Sequence, residues 1–176
     1  MEFILAQILG IIGAGVAMIA AQMRNKRKYL ILYAVSYGFF IINMVLLKAY
    51  AGAVNCFILM ILTIISTRFE NKKIPIVLII IFAFIILFGN IITYTSIYSL
   101  LPAIASYIYL VILMSKNMKL VRKNTVILRL LWAIYDFIVK AYTTFALDTV
   151  SFLSSLIAIY RLDINKSNKE EKNSKS

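Results

Sequence analysis

Residues 74–115 read IPIVLIIIFAFIILFGNIITYTSIYSLLPAIASYIYLVILMS, a run of 42 residues without one Asp, Glu, Lys or Arg. As a single helix rising about 1.5 Å per residue it would be ~63 Å long, twice the ~30 Å hydrocarbon core of a bilayer. The stretch must turn once. Asn90–Ser99 is the place for that turn, because it is polar and carries Tyr94 and Tyr98, which favour the membrane interface. Two spans follow, about Ile74–Ile92 and about Tyr98–Met114. Pro75 suits a first helical turn, where a missing N–H costs nothing, and Pro102 lies near the start of the second span.

The same reading extends outward. Phe3–Gln22 is an uncharged span, and its basic cluster (Arg24, Lys26, Arg27, Lys28) follows it. A secretory signal would carry the charge in front of a shorter apolar stretch, so a retained first helix is expected. Tyr29–Leu47 forms a second helix, Lys48-Ala49-Tyr50 a tight return, and Gly52–Thr67 a third helix closed by Arg68, Glu70, Lys72 and Lys73. Beyond the central run come a basic loop (Lys116, Lys119, Arg122, Lys123), a sixth helix over Thr125–Lys140 and a seventh from Phe145 to Arg161. The segment 163–176 is polar, charged and without apolar periodicity, which predicts a disordered tail.

Composition agrees. Of the 176 residues 62% are hydrophobic and 15% charged, against about 45–50% and 25% in soluble domains. There is no room for a soluble catalytic domain. Histidine is absent and Cys56 is the lone cysteine, which excludes a disulfide framework and Cys/His metal sites. The fold class is thus an all-α integral membrane protein with seven transmembrane helices. The Lys/Arg distribution orients it: the loops after the first, third and fifth helices and the tail hold 16 of the 19 basic residues. The opposite side holds only Lys48 and Lys140, with Arg129 early in the sixth helix and expected to snorkel to the headgroups. The positive-inside rule then puts the N-terminus out and the C-terminus in. The net charge of +12 reflects that topology and anionic lipid rather than nucleic acid, since the basic residues sit in short loops without stacking platforms. No cofactor is implied.

An internal repeat is also expected. A shift of 93 superposes Asn43 on Asp136, Asn55 on Asp148, Phe39 on Trp132 and Arg68 on Arg161. Lys48-Ala49-Tyr50 recurs as Lys140-Ala141-Tyr142 at a shift of 92, which implies one inserted residue in the second return. The repeats would cover 3–67 and 98–162, with 74–92 as a linker helix. A three-helix unit crosses the membrane an odd number of times, so one added helix restores the orientation of the second copy. This 3+1+3 plan gives parallel repeats with a site between them near the midplane.

Gln22–Asn25 with Lys28, then Leu46-Leu47-Lys48-Ala49-Tyr50-Ala51-Gly52, and Leu128-Arg129-Leu130-Leu131-Trp132-Ala133-Ile134-Tyr135-Asp136 resemble the YgjV family of bacterial inner-membrane proteins over roughly residues 3–162. The resemblance implies a cytoplasmic-membrane location and brings no activity with it. More distantly, the 3+1+3 plan is similar to the SWEET and PQ-loop group of small-solute transporters. That likeness implies a pocket lined by an aromatic of each repeat's second helix and an asparagine of its third, here Phe39 with Asn55 and Trp132 with Asp148. The chain lacks the Pro-Gln motif and has a carboxylate, Asp148, where the group favours an amide.

Asp136 follows Trp132 by four residues and Asn43 follows Phe39 by four, so each pair stacks on one helix face. An ionisable group at membrane depth normally faces a bundle interior or a watery cavity. The expected site is therefore Phe39, Asn43, Asn55, Trp132, Asp136 and Asp148, with rings against a small polar solute and polar groups on its edge. The competing reading is interhelical contact, in which Asn43 and Asn55 only bind neighbouring helices and Asp148 lies near enough to the surface to be solvated. Function then reads as a small-solute transporter and not an enzyme. The alternatives are a non-transporting scaffold or sensor and, on two intramembrane aspartates, a protein like the aspartyl proteases, although the glycine-rich second motif is missing.

Overall fold

The computed structural model describes residues 2–21, 26–69, 74–115 and 118–160. The tail expected over 163–176, and with it parts of the basic loops at 22–25, 70–73 and 116–117, lies outside the described residues. Within them the chain forms seven α-helices and no strand: α1 (Glu2–Ala21), α2 (Lys26–Leu46), α3 (Tyr50–Ser66), α4 (Ile76–Ile92), α5 (Leu100–Met114), α6 (Met118–Ile138) and α7 (Tyr142–Ile159). The central run turns once, as its length requires, but over Thr93–Ser96. Asn90 is inside α4 and buried, not in the turn. Pro102 falls in the first turn of α5, a position where proline is tolerated.

By length and composition, Glu2–Ala20 and Tyr50–Phe69 qualify as membrane spans, and Leu30–Leu46, Ile76–Ile92 and Ile97–Ile112 are shorter apolar helices. Polarity is inverted relative to a soluble protein. The outer face of α4 exposes Ile80, Phe84, Phe88, Ile91 and Ile92, while Ser36, Asn43, Asn55, Thr63, Ser106 and Asp136 are fully buried. Water would penalise an apolar surface of that extent; hydrocarbon does not. Helix association then rests on close packing and interhelical hydrogen bonds. α1 shows both: a Cβ at Gly13 would lie 2.9 Å from the Phe40 ring and 3.0 Å from Phe39 Cβ, so the glycine lets α2 approach.

Helices packed side by side in sequence order are α1 with α2, α2 with α3, α5 with α6 and α6 with α7; α4 touches α3 and α5. Contacts of α1 with α7 and of α3 with α5 join the first three helices to the last three. The two returns have the same geometry. Lys48 (φ 57°) and Lys140 (φ 61°) are both left-handed. Lys48 N–H donates to Val45 O and Ala49 N–H to Met44 O, and Lys140 N–H donates to Phe137 O and Ala141 N–H to Asp136 O. Each is a Schellman cap with lysine at the left-handed position. The caps correspond at a shift of 92, with no inserted residue.

Candidate functional site

Tyr33, Tyr37, Phe40 and Met44 occur on α2 at i, i+4, i+7 and i+11, one stripe of a helix. Thr125, Arg129, Trp132 and Asp136 repeat that spacing on α6. Both stripes line a cavity of about 250 Å³, completed by residues of α3, α5 and α7, Cys56, Tyr109, Thr144 and Asp148 among them. The space is below the roughly 300–1,000 Å³ of sites for drug-sized ligands, which suits a small solute.

Arg129 organises the polar side of the cavity. Its Nη1 donates to Asp148 Oδ1 at 2.7 Å, and its Nη2 donates to the Tyr33 hydroxyl. This corrects the expectation for Arg129 and decides between the two readings of Asp148. Arg129 does not snorkel: its guanidinium turns inward to Asp148 of α7 and Tyr33 of α2, on an α6 that begins at Met118 instead of Thr125. Asp148 is not solvated, being 7% exposed and held by the guanidinium. Asp136 is 1% exposed, with the Thr144 hydroxyl beside it, and its Oδ1 is buried without a hydrogen-bond partner among the described residues.

The structure brings Trp132, Asp136 and Asp148 together in the cavity and puts Phe39, Asn43 and Asn55 outside its lining. Phe39 packs on Gly13 of α1. Asn43 Nδ2 donates to Ala6 O at 2.6 Å, again toward α1. Asn55 sits in an amide cluster that ties α3 to α4 and α5: Nδ2 donates to Asn90 Oδ1 at 2.9 Å, and Oδ1 accepts from Ser106 Oγ at 2.8 Å. The cause of the misplacement is the register. Counted from the two matching caps, Phe40 corresponds to Trp132, Met44 to Asp136 and Cys56 to Asp148, and all six line the cavity. The shift of 93 differs from this cap-to-cap register by one residue, and one residue turns a helix face by ~100°.

The sequence reading does not single out Tyr33, Tyr37, Phe40, Tyr109 or Thr144, and takes Arg129 for a headgroup contact instead of a lining residue. The 4-3-4 stripe on α2, matched on α6, is the signal that finds four of them.

The end of the bundle that carries Lys48 and Lys140 is joined by hydrogen bonds between the two groups of three helices. Gln7 Nε2 on α1 donates to Lys140 O at 2.9 Å, and Gln7 Oε1 accepts from the Thr143 hydroxyl at 2.7 Å. Gly52 N–H, unpaired within the first turn of α3, donates to the Tyr135 hydroxyl of α6 at 2.9 Å.

A family model described as a bacterial inner membrane protein, Imp-YgjV, matches residues 4–166. No curated protein and no solved structure gives a significant match.

Proposed function

The chain belongs to the Imp-YgjV family of bacterial inner membrane proteins, and from that premise we propose that it is a small-solute transporter of seven membrane spans, N-terminus out. Two three-helix units, 3–67 and 98–162, rock about a site between them, with 74–92 as the linker. The observation that carries this reading is the cavity itself. It is walled by matched stripes of α2 and α6 and holds a part-buried ion pair and a buried carboxylate. Groups so costly to bury in a membrane protein favour a function over packing alone. A scaffold has support in Asn43 and Asn55, which serve as helix contacts, but it leaves Asp136 Oδ1 without purpose. An aspartyl-protease-like enzyme would need two carboxylates sharing a proton, whereas Asp148 is bound to Arg129.

In this reading the Gln7 and Tyr135 hydrogen bonds close the outer end, and rocking breaks them. Uptake by proteoliposomes from a panel of sugars, nucleosides, vitamins and amines tests the function. The wild type should accumulate at least one class, and Trp132→Ala should weaken its uptake roughly 2- to 10-fold through lost ring contact. Uptake indistinguishable from empty liposomes for every class would refute transport.

Orientation is tested separately. In a Cys56→Ala background, cysteines at Lys48 or Lys140 should react with an impermeant thiol reagent in intact cells. Cysteines at Lys26, Lys72 or Lys119 should react only after lysis. Labelling at Lys26 in intact cells would reverse the topology.

A further inference from the structure

We propose that the solute is a small organic cation, a protonated amine whose ammonium group binds Asp136 Oδ1 while its carbon body lies against the aromatic wall of the cavity. The inference rests on the transporter reading and deepens it.

The charges point that way. Among the described lining residues Arg129 is the only basic one, against two acids, Asp136 and Asp148. Arg129 is already committed, to Asp148 at 2.7 Å and to the Tyr33 hydroxyl. It also lies seven residues from Asp136 on the same helix, about two turns away. The Asp136 carboxyl therefore has no direct ion pair on the described wall, Arg129 acting on it only from a distance, and its Oδ1 is buried without a hydrogen bond among the described residues. The Thr144 hydroxyl, which donates to Ala141 O at 2.9 Å, lies beside the carboxyl, and Oδ1 itself still has no partner among the described residues.

A buried acceptor without a donor is costly. A protonated amine supplies N–H donors and the opposite charge in one group. An alcohol would satisfy only the hydrogen bond, and an anion would worsen the charge balance. The wall suits the same ligand, because Trp132, one turn from Asp136, lines the cavity with Phe40 and Tyr37. Ring faces of this kind attract organic cations. A bare divalent metal fits less well: no group of three or more His, Cys, Asp or Glu side chains able to hold one occurs among the described residues.

The chain carries its own probe, since Trp132 is its single tryptophan. The full-length protein in lipid nanodiscs would be titrated with cyclohexylammonium, cyclohexanol and cyclohexanecarboxylate, three ligands of one shape and different charge, while Trp132 emission is read. The ammonium should give a saturable change at concentrations about 10- to 100-fold below the alcohol, the scale of a charged hydrogen bond. Asp136→Asn should erase that preference, and Asp136→Glu should retain part of it.

Tighter binding of the alcohol or the carboxylate would overturn the cation and leave transport standing. An equal response to sodium chloride at the same ionic strength would overturn it in favour of an inorganic ion. No saturable response to any of the three would also overturn it, and the proteoliposome panel would then decide transport independently.

Discussion

Arg129→Met, with Asp148 left in place, is expected to lower stability by at most about 3–5 kcal/mol, the cost of removing one partner from a fully buried pair, because Asp148 is buried and the Arg129 side chain is 24% exposed. The reason is the charge left behind. Asp148 is 7% exposed and its Oδ1 is held by Arg129 at 2.7 Å, so the substitution strands a carboxylate inside the bundle. The Tyr33 hydroxyl loses its guanidinium donor as well. The denaturation midpoint in mixed micelles should fall accordingly. Removing both charges, in Arg129→Met with Asp148→Asn, should recover most of the loss, because a neutral amide has a far smaller desolvation penalty than a bare carboxylate. A double variant as unstable as the single one would mean that the arginine acts by packing and not by charge.

Gly52→Ala is the second large effect. A Cβ there would lie 2.6 Å from Cε1 of Tyr135 and 3.0 Å from its hydroxyl oxygen, distances that force movement. The ring has little freedom: Tyr135 is 3% exposed and meets Trp132 edge-on, with centroids 6.1 Å apart. Overpacking of this kind costs about 1–3 kcal/mol, and losing the 2.9 Å bond from Gly52 N–H adds about 1 kcal/mol. Gly38→Ala is the matched control. Nothing lies within 4 Å of its Cβ position, and replacing a mid-helix glycine should stabilise α2 by ~0.5–1 kcal/mol. The two alanines should shift the midpoint in opposite directions. Truncating the ring, in Gly52→Ala with Tyr135→Leu, should relieve the clash and separate it from the lost hydrogen bond.

Seven helices, their order and the single turn inside residues 74–115 were legible from the sequence, because hydrophobic run length against bilayer thickness is a one-dimensional property. So were the Lys-Ala-Tyr returns, whose recurrence at a shift of 92 the matching Schellman caps explain. Trp132 and Asp136 were legible together, since four residues always share a helix face. The chain's own residues did not reveal which way each helix is rotated. Phe39 and Phe40 are adjacent aromatics in an apolar stretch, and either could face inward until α1 packs on one of them. It packs on both through Gly13, but only Phe40 also lines the cavity.

Arg129 follows the same rule. Its sequence neighbours suggest a snorkelling side chain, and its actual partners are Asp148 on α7 and Tyr33 on α2, the second 96 positions away. Asn90 and Asn55, 35 residues apart, pair for a similar reason. In hydrocarbon a polar side chain takes whatever partner packing brings within about 3 Å. Local sequence determines that such a group must be satisfied. Only the rotation and contact of distant helices decide by what.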